Sequence, residues 1–263
     1  MKQAGLEQNF DQRLRNAAAN LGLLLTEPAQ SQLLRYLHLL GRWNETYNLT
    51  AIRDPSNQLV QHIFDSMAAV PSLNKVLCDS AARKIPPRKL SLGTDDAGDT
   101  GSATISLRQI TDSLQDKPVR QSRPQQVWDL GSGAGLPGLI LAILWPHRNI
   151  HTVDSVGKKI AFQNQAIADL ALRNVTAKQG RIELQVPTIV PELIVCRAFA
   201  SLSQFARACE MIAGSNTTLV AMKGKVAEAE LQELPSNWRI TKIERIEVPE
   251  LDAERHLIML NRN

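Results

Sequence analysis

A glycine turn preceded by one acid and followed by another has the clearest capacity for chemistry in this sequence. The stretch VWDLGSGAGLPGL begins at Val127 and places Asp129 just before the turn. Its glycines stand at alternate positions: Gly131, Gly133 and Gly135. Glycine permits backbone conformations and close approaches that a Cβ atom would block, so a ligand can lie against the turn. Asp154, 19 residues after the last of these glycines, can accept hydrogen bonds from two ribose hydroxyls. The pattern therefore predicts a site for a nucleoside-containing cofactor.

Two enzyme classes place a glycine turn after their first strand, and the neighbouring residues distinguish them. Gly133, Gly135 and Gly138 fit the G-x-G-x-x-G fingerprint of dinucleotide-binding dehydrogenases. Those enzymes normally add a second mononucleotide half and a catalytic domain, for which residues 139–263 are too few. The acid at Asp129, two residues before the first glycine, resembles motif I of S-adenosylmethionine-dependent methyltransferases instead. A nicotinamide-dependent oxidoreductase remains the weaker alternative.

Three zones of different composition must position these residues. Residues 1–76 carry apolar residues at helical spacing and predict an amino-terminal helical cap. Residues 77–126 are rich in Gly, Pro, Ser and Asp and predict a long flexible insertion or connector. Residues 127–263 alternate strand and helix signals, which predicts an α/β domain with a mostly parallel sheet. The last two strand-like segments, RITKIERIEVP and RHLIMLNRN, predict an antiparallel hairpin because no helix separates them.

Local signals mark where the helices of the cap begin. Thr26 precedes Glu27 and Pro28, an arrangement typical of a helix start. Apolar residues then recur every three or four positions and predict one buried stripe, formed by Leu33, Tyr36, Leu37, Leu40, Trp43 and Tyr47. Asp54 and Pro55 predict the start of a second helix.

Amino-acid composition limits the classes of protein to which this chain can belong. The chain is 43% hydrophobic and 21% charged, as in globular proteins. No signal-peptide core begins the chain, and its longest apolar run, about ten residues, is shorter than the roughly 18 of a membrane span. Three cysteines without a Cys-x-x-Cys pair suit a reducing compartment, and no metal site is expected. We expect a cytoplasmic monomer whose net charge of +4 permits a polyanionic partner.

Seven stretches of the sequence carry a narrower resemblance. They are RWNETYNLTAIRDP, HIFDSM, DLGSGAGLPG, VDSVGKK, CRAFAS, MKGK and VPELDAERHLIML. Together they resemble the bacterial small-subunit ribosomal RNA methyltransferases of the glucose-inhibited division protein B family. The resemblance covers almost the whole chain except about 78–126, where that family has a short connector. It implies a Rossmann-like class I methyltransferase fold, S-adenosylmethionine as cofactor and N7 of a guanine in 16S ribosomal RNA as the methylated atom.

The resemblance also implies roles for individual residues. Beyond the glycines and Asp154, it implies cofactor contacts from Leu136, Ile182, Glu183 and Arg197. Arg197 has a structural alternative, as partner of a helix C-terminus. Apart from the resemblance, we expect the cap to help form the RNA face through Arg42, Asn44, Tyr47, Asn48, Arg53 and His62. Lys223 and Lys225 could meet RNA phosphates or simply be solvated, and Asn48 and Asp65 could be turn and capping residues.

The chemistry expected at guanine N7 is consistent with what the sequence lacks. N7 carries a lone pair and no proton, so it can attack a sulfonium methyl without a general base, and alignment supplies most of the catalysis. No Asn/Asp-Pro-Pro-aromatic motif follows the fourth strand, which disfavours methylation of an exocyclic amine. Cys196 could be the nucleophile for pyrimidine C5 methylation, although its apolar strand favours a buried, inert thiol. A noncatalytic module that binds S-adenosylmethionine and RNA is a further alternative.

Overall fold

Helices form the amino-terminal part of the protein. The computed structural model describes residues 2–83 and 123–263. Its first elements are α1 (Lys2–Asn20), α2 (Glu27–Tyr47), α3 (Pro55–Gln58), a π-helical turn (Leu59–Phe64) and α4 (Asp65–Arg83). Thr26 Oγ1 accepts from the Ala29 N–H at 3.4 Å and Asp54 Oδ1 from the Asn57 N–H at 2.8 Å, so both predicted helix starts are confirmed.

Two boundaries of the cap differ from those predicted. The sequence analysis placed no separate helix before Thr26, whereas α1 lies there with Phe10, Leu14 and Ala17 buried against the rest of the cap. Helix α4 passes the predicted end of the cap at residue 76, because its apolar face continues through Val76 and Leu77, both buried. Most of the predicted connector, residues 84–122, lies outside the described residues.

The second part of the chain alternates strands and helices, as predicted. Its elements are β1 (Gln126–Leu130), α5 (Gly138–Leu144), β2 (Asn149–Asp154), α6 (Gly157–Asp169), β3 (Val175–Gln179), a 3₁₀ turn (Ile182–Leu184), β4 (Leu193–Arg197), α7 (Leu202–Ala208), β5 (Thr218–Lys223), α8 (Glu228–Gln232), β6 (Trp238–Ile246) and β7 (Arg255–Arg262). The described strands form one sheet in the order β3-β2-β1-β4-β5-β7-β6. Strands β1 to β5 run parallel, and β7 is antiparallel to both β5 and β6. The predicted Rossmann-like class I methyltransferase sheet and its terminal hairpin are confirmed.

Side chains from the two faces of this sheet enter two apolar clusters. In β4, Leu193 and Val195 face one cluster, whereas Ile194 and Cys196 face the other, as the two-residue period of a strand requires. The first cluster also contains the buried residues of α1, α2, α4 and α5. The cap therefore packs on one face of the sheet and shares its core. Within the described ranges, the helices lack the length and apolarity that crossing a bilayer demands.

The strand order locates the cleft in which such sheets bind ligands. The chain moves outward from β1 to β2 and β3, and then returns to place β4 on the other side of β1. Ligands of open α/β sheets bind at this switch point, outside the carboxyl ends of the strands. The glycine turn follows β1 and Arg197 ends β4, so both lie at that edge.

Candidate active site

The glycine turn after β1 has the backbone conformation that its sequence predicts. Gly131, Gly133 and Gly135 have φ angles of +69°, +59° and +81°, a region in which other residues are strained. The N–H groups of Gly131 and Ser132 donate to the carbonyl of Val153 in β2, at 2.9 and 3.1 Å. The turn is therefore held against β2 while its outer surface stays free of Cβ atoms.

Buried polar side chains support the turn from below. Gln163 of α6 is fully buried and donates from Nε2 to Ser132 Oγ at 2.9 Å and to the Gly133 carbonyl at 2.8 Å. Thr152 of β2 donates to Gln163 Oε1 at 2.5 Å. The amide thus links α6 and β2 to the turn, a role that the sequence patterns did not indicate.

Asp129 fixes the exit of the turn rather than facing a ligand. Its Oδ2 accepts from the Gly138 N–H, the first residue of α5, at 2.8 Å. A Cβ atom on Gly138 would lie 2.8 Å from that same oxygen, so glycine is required there. Asp129 is fully buried, and burial raises the pKa of its carboxyl to about 7.

Helix α2 also holds the turn, through Tyr36. The Tyr36 hydroxyl donates to the carbonyl of Ala134 at 2.8 Å, and the whole side chain is buried. Burial raises the pKa of Tyr36 above its ordinary value, which keeps the phenol protonated as a donor. The cap is therefore bonded directly to the predicted cofactor loop.

Asp154 combines a structural role with a position at the cleft. Its Oδ2 accepts from the Gly133 N–H at 2.8 Å, and its Oδ1 accepts from the Val156 N–H at 2.9 Å. The ammonium of Lys159 lies 3.6 Å from Oδ2. A carboxylate offers about four acceptor positions, so capacity for further donors remains on both oxygens.

A cavity of about 670 Å³ opens at this edge of the sheet, a size within the usual range of small-molecule sites. It is lined by five residues expected at the cofactor, namely Gly131, Asp154, Ile182, Glu183 and Arg197. The lining also includes residues that were not predicted: Ser155, Val156, Lys159, Gly180, Arg181, Ala198, Phe199, Ala200 and Gln204. A Cβ atom on Gly131 would lie 3.7 Å from the Phe199 ring, so glycine keeps the space between turn and ring open. An acid, bare backbone and an apolar ring suit the ribose, methionine and adenine parts of S-adenosylmethionine.

Three predicted cofactor residues serve the turn and not the cavity wall. Gly133 and Gly135 shape the backbone, whereas Leu136 is buried in the core at 3% exposure. The Leu136 N–H donates to the Ser132 carbonyl at 2.8 Å, so its backbone is also occupied. The Leu136 side chain therefore does not face the cavity, and a cofactor contact from this residue remains a prediction.

Arg197 lines the cavity but bonds to the cap. Its Nη1 donates to the Gln61 carbonyl at 2.9 Å and to Asp65 Oδ2 at 3.2 Å, and its Nη2 lies 3.4 Å from His62 Nδ1. Ala198, the next residue, has a φ of +58°, which is uncommon outside glycine and is often found at functional sites. Arg197 therefore has structural partners, although they lie within a continuous helical segment and not at a helix C-terminus, and it also reaches the cleft.

The residues expected at the RNA face divide by exposure. Arg42, Tyr47, Asn48 and Arg53 are exposed around the end of α2, as is Lys225 after β5. Asn48 ends α2 in the left-handed conformation and accepts from Arg53 Nη2 at 2.6 Å, so it is also a helix-capping residue. Lys158 of α6 donates to the Tyr47 carbonyl at 2.8 Å, which joins this surface to the start of α6 beside the cleft.

The other three expected RNA contacts are turned inward. His62 is 5% exposed, with Nε2 3.0 Å from Thr50 Oγ1; burial and the charge of Arg197 lower its pKa to about 4. Asn44 is 2% exposed and bonds the backbones of Thr50 and Ile52. Lys223 donates to Glu230 at 2.6 Å and to the Phe199 carbonyl at 3.2 Å. The polar atoms of these side chains bond to partners inside the protein. This arrangement argues against the RNA contacts expected of them.

The thiol nearest the cleft is unsuited to nucleophilic attack. Cys196 is 1% exposed and points into the apolar cluster on the second face of the sheet. Burial raises its pKa well above the ordinary value, so the reactive thiolate is disfavoured. Among the described residues, no group of three or more His, Cys, Asp and Glu side chains could hold a metal ion.

Comparison with known proteins agrees with this geometry. A family model described as GidB, rRNA small subunit methyltransferase G, matches residues 29–79 and 97–258. The unmatched residues between these ranges, 80–96, are fewer than the residues of about 78–126 over which the resemblance was expected to be interrupted. The ribosomal RNA small subunit methyltransferase G of Bordetella avium is 39% identical over 252 residues, covering 96% of this chain and 93% of that protein. Its counterpart from Burkholderia ambifaria is 38% identical over 253 residues, covering 95% and 91%. The chain therefore belongs to the GidB family of small-subunit ribosomal RNA methyltransferases.

Proposed function

We propose that this enzyme transfers the methyl group of S-adenosylmethionine to N7 of one guanine in small-subunit (16S) ribosomal RNA. The observation that carries the proposal is the cavity at the switch point of the sheet, where the Gly131 backbone, Asp154 and Arg197 converge. Membership of the GidB family supports the reaction class and the RNA substrate.

The cofactor fits the cavity through interactions that its lining offers. Asp154 would accept from the ribose hydroxyls, and charge-assisted bonds of this kind contribute about 1.5–3 kcal/mol each. Ile182 and Glu183 would flank the adenine, and the Gly131 backbone would face the methionine part. Bound S-adenosylmethionine supplies an electrophilic methyl group on a sulfonium. The residues of this chain hold and orient it.

The side chains at the cavity are consistent with a reaction that needs no general base. Among the described lining residues, Asp154 accepts from two backbone donors and would bind the ribose with its remaining acceptor positions, and Glu183 is exposed to solvent. Guanine N7 attacks with its own lone pair, so the protein contributes mainly proximity and orientation, which can supply several kcal/mol.

Cations around the cavity are suited to an RNA strand. Lys159, Arg181 and Arg197 line it, and Arg42 and Arg53 lie on the adjoining surface of the cap. Tyr47 is exposed there and offers a ring on which an unpaired base can stack. Lys225, beyond β5, would contact phosphates on the other side. Because double-stranded RNA hides its base edges, the target guanine would lie in a loop or be turned out of its stack.

The product distinguishes the proposed reaction from its alternatives. N7 methylation places a fixed positive charge on guanine, and mild reduction followed by aniline then cleaves the strand at that nucleotide. We expect a single new cleavage only when protein, S-adenosylmethionine and small-subunit RNA or particles are combined. We expect Cys196→Ser to retain the activity, because the buried thiol takes no part. A methyl group on cytosine C5, lost in Cys196→Ser, would overturn the mechanism.

Two further outcomes would contradict the reaction class. Binding of S-adenosylmethionine without transfer to naked RNA, assembly intermediates or mature subunits would indicate a noncatalytic module. Tighter calorimetric binding of NAD than of S-adenosylmethionine would indicate an oxidoreductase. We also propose that the protein acts in the cytoplasm as a monomer, which cell fractionation and light scattering in solution would test.

A further inference from the structure

One short segment of the cap holds both terminal nitrogens of Arg197. Gln61 and Asp65 accept from Nη1, and His62 Nδ1 lies beside Nη2. The chain separation between Arg197 and this segment is at least 132 residues. The end of β4 is therefore tied, at the cavity, to one turn of helix in the other part of the protein.

The π-helical turn explains how this segment can receive an arginine. In an α-helix the Asp65 N–H would bond to the Gln61 carbonyl, four residues earlier. Here it bonds to the carbonyls of Val60 and His62, and the Gln61 oxygen accepts from Arg197. Isolated π-helical turns occur frequently at functional sites, and this one redirects a backbone acceptor toward the cleft.

Asp65 is the charged member of this arrangement. Its side chain is 4% exposed, and each carboxylate oxygen accepts from a different arginine. Oδ2 accepts from Arg197 at 3.2 Å, and Oδ1 accepts from Arg255 Nε, at the start of β7, at 2.7 Å. Strands β4 and β7 flank β5, so one buried carboxylate connects the two strands across the edge of the sheet. Removing the carboxylate would leave two partly buried cations without their shared counter-ion.

We propose that Asp65, presented by the π-helical turn, is a positioning residue for methyl transfer, and that it acts by orienting Arg197 at the cavity. The inference rests on the proposed function, because the cavity that Arg197 lines is the one assigned to the reaction. The contacts of Asp65 are to the two arginines, whereas Arg197 reaches the cavity wall.

A double-mutant cycle tests this assignment. Asp65→Asn and Arg197→Ala should each lower kcat/KM for the RNA, at saturating S-adenosylmethionine, by about tenfold or more. If Asp65 acts through Arg197, the kcat/KM of the double variant should be no lower than that of the less active single variant. The effects of coupled residues are not additive. Asp79→Asn, an exposed acid on the same helix α4, is the matched control and should retain wild-type activity.

Arg197→Lys tests the same anchoring without altering Asp65. Lysine keeps the positive charge but lacks the two terminal nitrogens that reach Gln61, Asp65 and His62, so kcat should fall as in Arg197→Ala. This variant stays informative even if Asp65→Asn folds poorly.

Four outcomes would overturn the inference. The first two are full activity in Arg197→Lys and full activity in folded Asp65→Asn. The third is a double variant whose loss of kcat/KM equals the product of the two single losses. The fourth is a loss in Asp65→Asn that is non-additive with Arg255→Ala but additive with Arg197→Ala. A lower thermal midpoint with unchanged turnover per folded molecule would make Asp65 a structural residue only. Absence of transfer by the wild-type protein would instead contradict the proposed function, so the two failures are distinguishable.

Discussion

At the scale of single residues, one side chain both stabilises the fold and lines the cavity. Asp154 accepts from two backbone N–H groups and also lines the cavity. Asp129 lies under the glycine turn, fully buried, and holds the start of α5. The two acids that flank the glycine turn therefore have different roles. Asp154 faces the cleft, whereas Asp129 faces the core.

Loss of the Asp154 carboxylate should weaken the binding of S-adenosylmethionine. We expect Asp154→Ala to raise the calorimetric Kd about tenfold or more, since a charge-assisted contact contributes about 1.5–3 kcal/mol. Asp154→Asn keeps an acceptor for the turn and should show most of the same loss. Glu210→Ala removes an exposed acid near the end of α7 and should leave the Kd unchanged. An unchanged Kd in both Asp154 variants would remove this residue from the site.

The raised pKa of Asp129 should make stability depend on pH. Its ordinary value is 3.8 and its value in the fold is about 7, so the folded state holds the proton more tightly than the unfolded chain. The free energy of unfolding should therefore decrease as the pH rises between these two values. Asp129→Asn cannot titrate, so urea unfolding at pH 5, 6, 7 and 8 should give it a smaller decrease than the wild type. If the free energy of unfolding decreased equally with pH in the variant and in the wild type, the raised pKa of Asp129 would be contradicted.

At the scale of elements, helices from both parts of the chain hold the glycine turn. Helix α6 supports it through Gln163, and helix α2 supports it through Tyr36. The first bond lies within the α/β part, whereas the second joins residues 98 positions apart in the chain. The glycine turn is therefore stabilised by contacts with residues that are distant from it in the chain.

Gln163→Leu should therefore affect both folding and binding. The substitution removes hydrogen bonds to Ser132, Gly133 and Thr152, and each buried group left unsatisfied costs about 1–3 kcal/mol. We expect a lower thermal midpoint and weaker S-adenosylmethionine binding, by about fivefold or more. Gln165→Leu, at an exposed position of the same helix, is the control. A lower midpoint with an unchanged Kd would show that the turn keeps its shape without Gln163.

At the scale of the whole molecule, the cap and the sheet form one apolar core and meet at the cleft. Arg13 of α1 pairs with Glu250 in the loop between β6 and β7, and Arg197 and Arg255 pair with Asp65. Gln125 donates to the Leu77 carbonyl at 2.9 Å, so the chain re-enters the sheet beside α4. The two parts therefore remain joined by contacts other than the segment that connects them in the chain.

Replacement of the connecting segment should leave the site intact. Its composition predicts a peripheral insertion, and long surface insertions change the free energy of unfolding little. We expect a short Gly-Ser linker in place of residues 84–96, and then of residues 84–122, to preserve the Kd for S-adenosylmethionine and the thermal midpoint. The first replacement lies between the ranges that match the family. Loss of folded protein in the second replacement alone would assign a structural role to residues 97–122.

The sequence alone determined the features that depend on local chemistry. The left-handed glycines, the helix starts at Thr26 and Asp54, the alternating strands and the terminal hairpin follow from residue types and short-range spacing. The acid before the glycine turn distinguished the methyltransferase from the dehydrogenase, and the family match agrees.

Only the tertiary structure decided which polar side chains face the cleft and which face a buried partner. His62, Asn44 and Lys223 have residue types suited to RNA, but folding gives them internal partners. Arg197 combines a place at the cavity with bonds to Gln61 and Asp65, which are more than 130 residues away in the chain. A polar group removed from water must find a partner, and which partner it meets depends on long-range packing that short-range spacing does not encode.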